Sequence, residues 1–239
     1  MSMTFAPPQA PALLIAGTDT GVGKTVLTSA LAAYRRRFFP AQSLGLMKLM
    51  QTGVGDREWY QDLFGADSRV ELSTPLQFSA PLAPPLAARQ EGKRVDLAPI
   101  WQGLTALQNN HSFVLVEGLG SLGSPVTEEL TLGDLAGLWR VETVLVVGVK
   151  LGCLGQALAQ TALARQVQVN LRGFVLSCAE PESQERLEDW ANIPLLESLS
   201  QLPVLGVVPY LQKKERQDLN ALAQGAAHLD LEKLGWGIR

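Results

Sequence analysis

The sequence predicts an α/β fold: a mainly parallel β-sheet flanked by helices on both faces. Three observations carry that reading. Short apolar runs recur along the chain, at Leu13–Ala16, Leu44–Met47, Phe113–Val116, Thr143–Val149, Phe174–Leu176 and Val204–Val208. Amphipathic or helix-permissive segments separate most of them, and strands that alternate with helices join by right-handed crossovers into a sheet buried on both faces. Glycines or isolated charged residues then follow the carboxyl ends of the runs, where open parallel sheets bind their ligands: Gly17–Thr25, Lys48, Glu117, Lys150 and Pro209.

The first run is the most informative. Residues 12–25 read Ala-Leu-Leu-Ile-Ala-Gly-Thr-Asp-Thr-Gly-Val-Gly-Lys-Thr, and Val26, Leu27, Ala30 and Leu31 continue at helical spacing. This strand–loop–helix order is what a phosphate-binding P-loop needs. Backbone N–H groups of the loop wrap phosphate oxygens, and the helix adds the positive end of its dipole. Lys24 is spaced to reach the terminal phosphates, and the Thr25 hydroxyl to ligate Mg²⁺. The fold expected is therefore P-loop NTPase-like. Thr18 stands where the common motif has its first glycine, and Gly21 lies inside the loop instead.

The second run ends in Lys48, within Met47-Lys48-Leu49-Met50-Gln51-Thr52-Gly53. A lysine there points at the ligand crevice, and phosphoryl transfer needs fixed positive charge around the γ-phosphate. An ordinary strand-end lysine in water is the plainer alternative. The third run ends in Glu117, followed by Gly118, Leu119 and Gly120. P-loop proteins place an acid there to organise Mg²⁺. Mg²⁺ takes one or two carboxylates with phosphates and water, so Thr25, Asp56 and Glu117 form a reasonable metal set, with an exposed loop as the alternative for Asp56. The fourth run enters Lys150-Leu151-Gly152-Cys153-Leu154-Gly155 before a helix expected at Ala157–Val167. That helix start suits an anion such as a carboxylate, or is plain capping.

Residues 53–100 break the rhythm, with Pro75, Pro81, Pro84, Pro85 and Pro99 and little periodicity. They read as a long loop, either a lid or binding segment or a surface insertion.

Composition sets bounds on all of this. With 239 residues, 46% hydrophobic and 18% charged, the chain is expected to form a single domain over 1–239, with 1–10 as a loose arm. A net charge of −3 offers no nucleic-acid footprint. Arg35, Arg36 and Arg37 close the first helix and read as a solvated last turn. Two cysteines without a CxxC pair and two isolated histidines argue against a thiolate or imidazole metal site and fit a reducing cytoplasm. Met1 to Pro11 lacks the features of a signal peptide, and no apolar run reaches 18 residues, so no membrane partner is expected.

Taken together, Gly-Thr-Asp-Thr-Gly-Val-Gly-Lys-Thr, Lys48 with Gln51-Thr52-Gly53, Val116-Glu117-Gly118 and Val147-Gly148-Val149-Lys150-Leu151-Gly152-Cys153 resemble dethiobiotin synthetases. The likeness spans residues 12–155, continues more weakly through Gly206-Val207-Val208-Pro209-Tyr210, and accounts for Thr18. It implies an ATP-dependent, carbon–nitrogen bond-forming cyclo-ligase of biotin biosynthesis. Such an enzyme carboxylates 7,8-diaminononanoate with CO₂ or bicarbonate, phosphorylates the carbamate with ATP, and closes the cyclic urea.

The resemblance also implies the roles of residues. Gly21, Val22, Gly23, Lys24, Thr25 and Val26 would cradle the phosphates. Asp56, Glu117, Gly118, Leu119, Gly120, Ser177, Pro209, Tyr210 and Leu211 would complete the nucleotide site. Lys48 and Lys24 would be catalytic. Thr52 would contact the substrate, with Leu151, Gly152, Cys153, Leu154 and Gly155 holding its carboxylate across a homodimer interface. Three departures stand out, one of them Gly155, which stands where the family can have a polar side chain to assist the substrate carboxylate. The glutamate is followed by Gly118-Leu119-Gly120-Ser121 in place of Gly-Ala-Gly-Gly. The asparagine that reads adenine in the family is Ser177 here, a single hydroxyl in place of an amide fork.

A ParA/MinD-like ATPase switch, which shares the fold, is the alternative. It would usually show a lysine at the place of Thr18 and an amphipathic or basic surface. Leu229–Arg239 is short and mixed in charge.

Overall fold

The computed structural model describes residues 9–236, the side chain of Trp236 excepted. Most of the expected N-terminal arm and the last three residues of the tail lie outside the described residues. Ala10, placed in the arm by the sequence, is tied down: it exchanges hydrogen bonds with Gln108, backbone N to backbone O at 3.0 Å and side-chain amide to Ala10 O at 2.9 Å.

The chain alternates as expected through its N-terminal part. β1 (Ala12–Gly17) leads through the glycine loop into α1 (Lys24–Phe38), then β2 (Leu44–Lys48) and the short β3 (Gln51–Thr52). α2 (Asp56–Phe64), β4 (Val70–Ser73), β5 (Gln77–Phe78), α3 (Pro84–Gln90) and α4 (Ala98–Asn110) follow. Next come β6 (Phe113–Ser121), α5 (Leu132–Trp139), β7 (Glu142–Gly148), α6 (Cys153–Gln166) and β8 (Asn170–Ser177). The chain ends through α7 (Pro181–Glu185), α8 (Leu187–Trp190), α9 (Ile193–Ser200), β9 (Val204–Val208) and α10 (Leu219–Ala226).

Seven strands form one sheet in the order β4-β2-β6-β1-β7-β8-β9, and every pairing is parallel. β1 sits at its centre. Its residues alternate between two cores: Leu13 and Ile15 pack under α1 and α10, and Leu14 and Ala16 pack under α4, α5 and α6. Burial on both faces is why the strand reads as an unbroken apolar run. Each fully buried leucine contributes roughly 1.5–3 kcal/mol.

Residues 53–100 correct the sequence reading. They are not one long loop: they supply α2, the edge strand β4, β5 (which pairs with β3), α3 and the start of α4. Their composition hides this because β4 (Val-Glu-Leu-Ser) is a four-residue edge strand of mixed burial, and because α3 and α4 begin on prolines, which suit a first helical turn. The basic run is corrected too. Arg37 is exposed, but Arg35 is buried, donates to Gln42 at 2.7 Å and lies over the Phe113 ring.

Candidate active site

The carboxyl ends of β1, β2 and β6 meet at one crevice. Gly23, at φ +97°, caps α1 in the left-handed region, and this bend turns the loop into the helix. Lys24 opens the helix, is 7% exposed, and donates to the loop carbonyl of Asp19 at 2.9 Å. Burial lowers its pKa to about 8, with Glu117 pulling the other way. At the loop's mouth Asp19 also pairs with Lys150 at 3.5 Å.

β2 and β6 run in register so that Lys48 lies beside Glu117. The Lys48 ammonium donates to Glu117 Oε1 at 2.8 Å, to Gly118 O at 3.3 Å and to Asp56 Oδ2. Burial disfavours its charge, but the two carboxylates outweigh that and hold the ammonium above its ordinary range. Glu117 is fully buried. Burial pushes its pKa up to about 7 against the pull of Lys48. Burial also opposes ionisation of Asp56, which opens α2, yet Lys48 keeps that carboxyl below its usual range.

Thr25 Oγ1 stands 3.0 Å from Asp56 Oδ1 and 3.0 Å from Glu117 Oε1. A hydroxyl has one proton to give, so it satisfies only one of these two acceptors. Among the described residues, no group of three or more His, Cys, Asp or Glu side chains is placed to hold a cation. The oxygens offered are two carboxylates and a hydroxyl.

The crevice encloses about 260 Å³ and is lined by the P-loop, Lys48, Gln51, Thr52, Asp56, Glu117, Leu119 and Gly120. The structure thus brings together Gly21, Gly23, Lys24, Thr25, Lys48, Thr52, Asp56 and Glu117, as the sequence reading groups them. Val22 is buried beneath the loop and Val26 is half-buried on α1. Gly118 is packed against Leu132 and the β1 backbone.

Two expected groups lie apart from this crevice. Ser177 ends β8, is 2% exposed, and sets its hydroxyl against Gly23. Pro209, Tyr210 and Leu211 follow β9. Residues 151–155 form a third region: Leu151 is 82% exposed, Gly152 (φ +89°) caps α6 with open space around it, and Leu154 and Gly155 start the helix. Cys153 turns inward instead. Its thiol is buried against the Trp190 carbonyl at 3.2 Å, and its N–H is taken by Lys150 O.

Sequence reasoning missed two residues. Tyr60, on α2, is buried and its hydroxyl donates to Glu117 Oε2. Its spacing with Phe64 (i, i+4) marks a buried helix face, but nothing in the sequence marks the phenol as polar contact to the site. Arg216 donates to Leu211 O at 2.7 Å and Ala179 O at 3.0 Å, tying the segments after β8 and β9 together beside the Tyr210 ring. It sits in a charged stretch that reads as plain surface.

Comparison with known proteins bears on the family and the fold. The AAA domain family model (AAA_26) matches residues 11–218. The ATP-dependent dethiobiotin synthetase BioD of Synechocystis sp. is 62% identical over 224 residues, 94% of each chain. That of Gloeothece citriformis is 58% identical, over 93% of this chain and 98% of the relative. That of Gloeobacter violaceus is 44% identical, over 93% and 95%. Among solved structures, a ParA family ATPase from Chlorobium tepidum superposes with a TM-score of 0.59 at 10% identity, covering 95% of this chain and 97% of its own. The MinD cell division protein of Aquifex aeolicus superposes at 0.54 and 13%, covering 94% of each. At such identities the two superpositions speak for the fold alone, so the ATPase-switch alternative gains no support from them. Identity that extends over nearly the whole of each synthetase does speak to family, and this chain belongs to the ATP-dependent dethiobiotin synthetases.

Proposed function

We propose that the chain performs its family's reaction as follows: ATP-dependent closure of a cyclic urea from 7,8-diaminononanoate and CO₂, giving dethiobiotin, ADP and phosphate. The observation that carries this is the convergence of a buried lysine, two carboxylates and the P-loop at one crevice. One amine of the diamine takes up CO₂ as a carbamate, whose oxygen attacks the γ-phosphate. The second amine then attacks the mixed anhydride and expels phosphate. Lys48 and Lys24 hold the negative charge of the carbamate and the transferring phosphoryl group, and such fixed charge is worth most where water is excluded. Thr52, at the crevice wall, is placed for the diamine end of the substrate.

Mg²⁺ fits the oxygens of Thr25, Asp56 and Glu117, since one hydroxyl proton between two carboxylate oxygens leaves one of them without that partner, an oxygen suited to a hard cation that takes its other ligands from phosphate and water. When bound, it would neutralise and orient the nucleotide phosphates. A second copy of the chain is assigned to the region 151–155: an exposed Leu151 and an open Gly152 suit a subunit contact, and the N–H groups of Leu154 and Gly155 suit a substrate carboxylate. We place the protein in the cytoplasm. Both cysteines are free and buried, and no helix among the described residues is long and apolar enough to cross a membrane.

The test is ADP release with and without the diamine and bicarbonate. Release that depends on both is expected. Release indifferent to the diamine would sink the assignment.

Base selectivity is a separate expectation. Ser177 is spent on packing against Gly23, so no side-chain amide stands at the end of β8 to read adenine. GTP or CTP should support turnover within about tenfold of ATP, because a matched polar contact is worth about 1–3 kcal/mol and is missing here. A kcat/KM for ATP several hundredfold above every other nucleotide would instead assign base reading to the Tyr210–Arg216 segment.

A further inference from the structure

Glu117 is held by both of its oxygens, and by different partners. Oε1 accepts from Lys48 at 2.8 Å and faces Thr25 Oγ1 at 3.0 Å, toward the crevice. Oε2 turns to α2, where the Tyr60 hydroxyl donates to it. Tyr60 is 2% exposed and Glu117 fully buried, so no solvent competes for this bond. The ring of Tyr60 is wedged in the core formed with Phe64, Leu27 and Leu31, which fixes where its hydroxyl lies. Two anchors on opposite oxygens lock the carboxylate's rotation. A carboxylate free to turn can grip a cation with both oxygens; here the phenol draws Oε2 toward α2, so Oε1 is the oxygen left facing the crevice.

We propose that Tyr60 is a positioning residue that makes Glu117 a one-oxygen partner for the divalent cation and so biases the site toward Mg²⁺ over Ca²⁺. The chemistry of the two ions supports this. Mg²⁺ demands near-octahedral geometry with short bonds, keeps several waters, and takes few carboxylate oxygens. Ca²⁺ accepts six to eight oxygens and is at ease with bidentate carboxylates. A phenol that ties Oε2 to α2 opposes the bidentate grip that Ca²⁺ would add. The bond also links α2, whose first residue is Asp56, to the sheet strand that carries Glu117. The relative placement of the two carboxylates thus rests on Tyr60 as well as on Lys48. The inference rests on the metal set proposed above, Thr25, Asp56 and Glu117.

The experiment measures the dissociation constant of a non-hydrolysable ATP analogue by calorimetry in saturating Mg²⁺, in saturating Ca²⁺, and in chelator, for the wild type and for Tyr60→Phe. For the wild type, binding at least tenfold tighter in Mg²⁺ than in Ca²⁺ is expected. In Tyr60→Phe the Ca²⁺-to-Mg²⁺ ratio should move toward Ca²⁺ by fivefold or more, while binding in chelator stays within twofold, a pattern that general loosening of the core would not give. An unchanged ratio overturns the role of Tyr60. Wild-type binding that is equal in Mg²⁺, Ca²⁺ and chelator overturns the metal set itself, which keeps the two failures apart. Should Tyr60→Phe fail to fold, infrared difference spectra of ¹³C-glutamate-labelled wild type, with and without Mg²⁺, decide the matter. A wide separation of the carboxylate stretches marks one-oxygen binding and supports the proposal, and a narrow one marks bidentate binding and overturns it.

Discussion

Replacing Lys48 by alanine is expected to lower kcat by about 10²-fold or more while nucleotide still binds within about tenfold of the wild type. The two effects separate because the phosphate loop and Lys48 come from different elements. Loop residues contact the nucleotide whether or not the lysine is present. On the proposed mechanism, the charge that develops on the carbamate and the transferring phosphoryl group loses one of the two buried lysines of the crevice. The same variant should also be less stable. Lys48 is the cation that compensates Glu117, which is wholly buried, and Asp56. Removing one partner of a buried ion pair costs about 3–5 kcal/mol. For a chain of this length that corresponds to a fall in Tm of roughly 6–20 °C. Steady-state kinetics, nucleotide titration and a thermal melt measure the three consequences. Lys48→Met, which keeps the apolar stem, should show the kinetic loss as well. Normal turnover in either variant would remove Lys48 from the chemistry.

The second large effect is expected at Gly23. A Cβ at this residue would stand 2.2 Å from Ser177 Oγ and 3.2 Å from Ser177 Cβ, and the backbone is already at φ +97°. The left-handed conformation alone costs an ordinary residue about 1–2 kcal/mol. Ser177 is buried at the end of β8 and its Cβ also crowds the added methyl, so Gly23→Ala must shift the loop against the strand end even if the hydroxyl turns. Nucleotide affinity should fall about 10²-fold or more, which at ~1.4 kcal/mol per tenfold matches the strain plus the overlap. Combining Gly23→Ala with Ser177→Gly removes the overlap but not the backbone strain, so the double variant should recover about tenfold, a coupling typical of residues in contact. Calorimetric titration of nucleotide into the three variants reads this directly. Equal affinities for Gly23→Ala and the wild type would show that the loop is not held as described, and a double variant no better than the single would acquit Ser177.

Ser177 also shows what the sequence made legible and what it did not. Its position at the end of a buried strand could be read, because strands covered on both faces announce themselves as apolar runs. Which way its hydroxyl turns could not be read, since that depends on Gly23, more than 150 positions earlier in the chain. The P-loop, Lys48 and Glu117 were legible for a related reason: charged residues and glycines at the ends of apolar runs have few purposes in an open parallel sheet, whereas Asp56 ends no such run and entered only as a candidate oxygen ligand with an exposed loop as its alternative. The segment from 53 to 100 failed because its edge strand is short and half-wet, and an edge strand lacks the continuous apolar signal of an inner one. Tyr60 failed because a buried tyrosine at helical spacing looks like core. Its ring is core, and only the position of its hydroxyl, set by a strand from elsewhere in the chain, makes it polar.

The central place of β1 has a consequence for how the molecule comes into being. Its two partners in the sheet, β6 and β7, lie at residues 113–121 and 142–148. The phosphate loop is written at residues 17–25, yet the strand that launches it has no neighbour in the sheet until β6 has left the ribosome. Pairings between such distant segments carry a large loop-closure entropy and form late. Until β6 is available, β1 is an apolar strand with both edges open, and one edge stays open until β7 follows, the kind of segment that chaperones bind and that aggregates when they do not. Nucleotide affinity is therefore acquired only with the assembled middle of the sheet, and a nascent chain that stops short of β7 carries the whole P-loop sequence without the site.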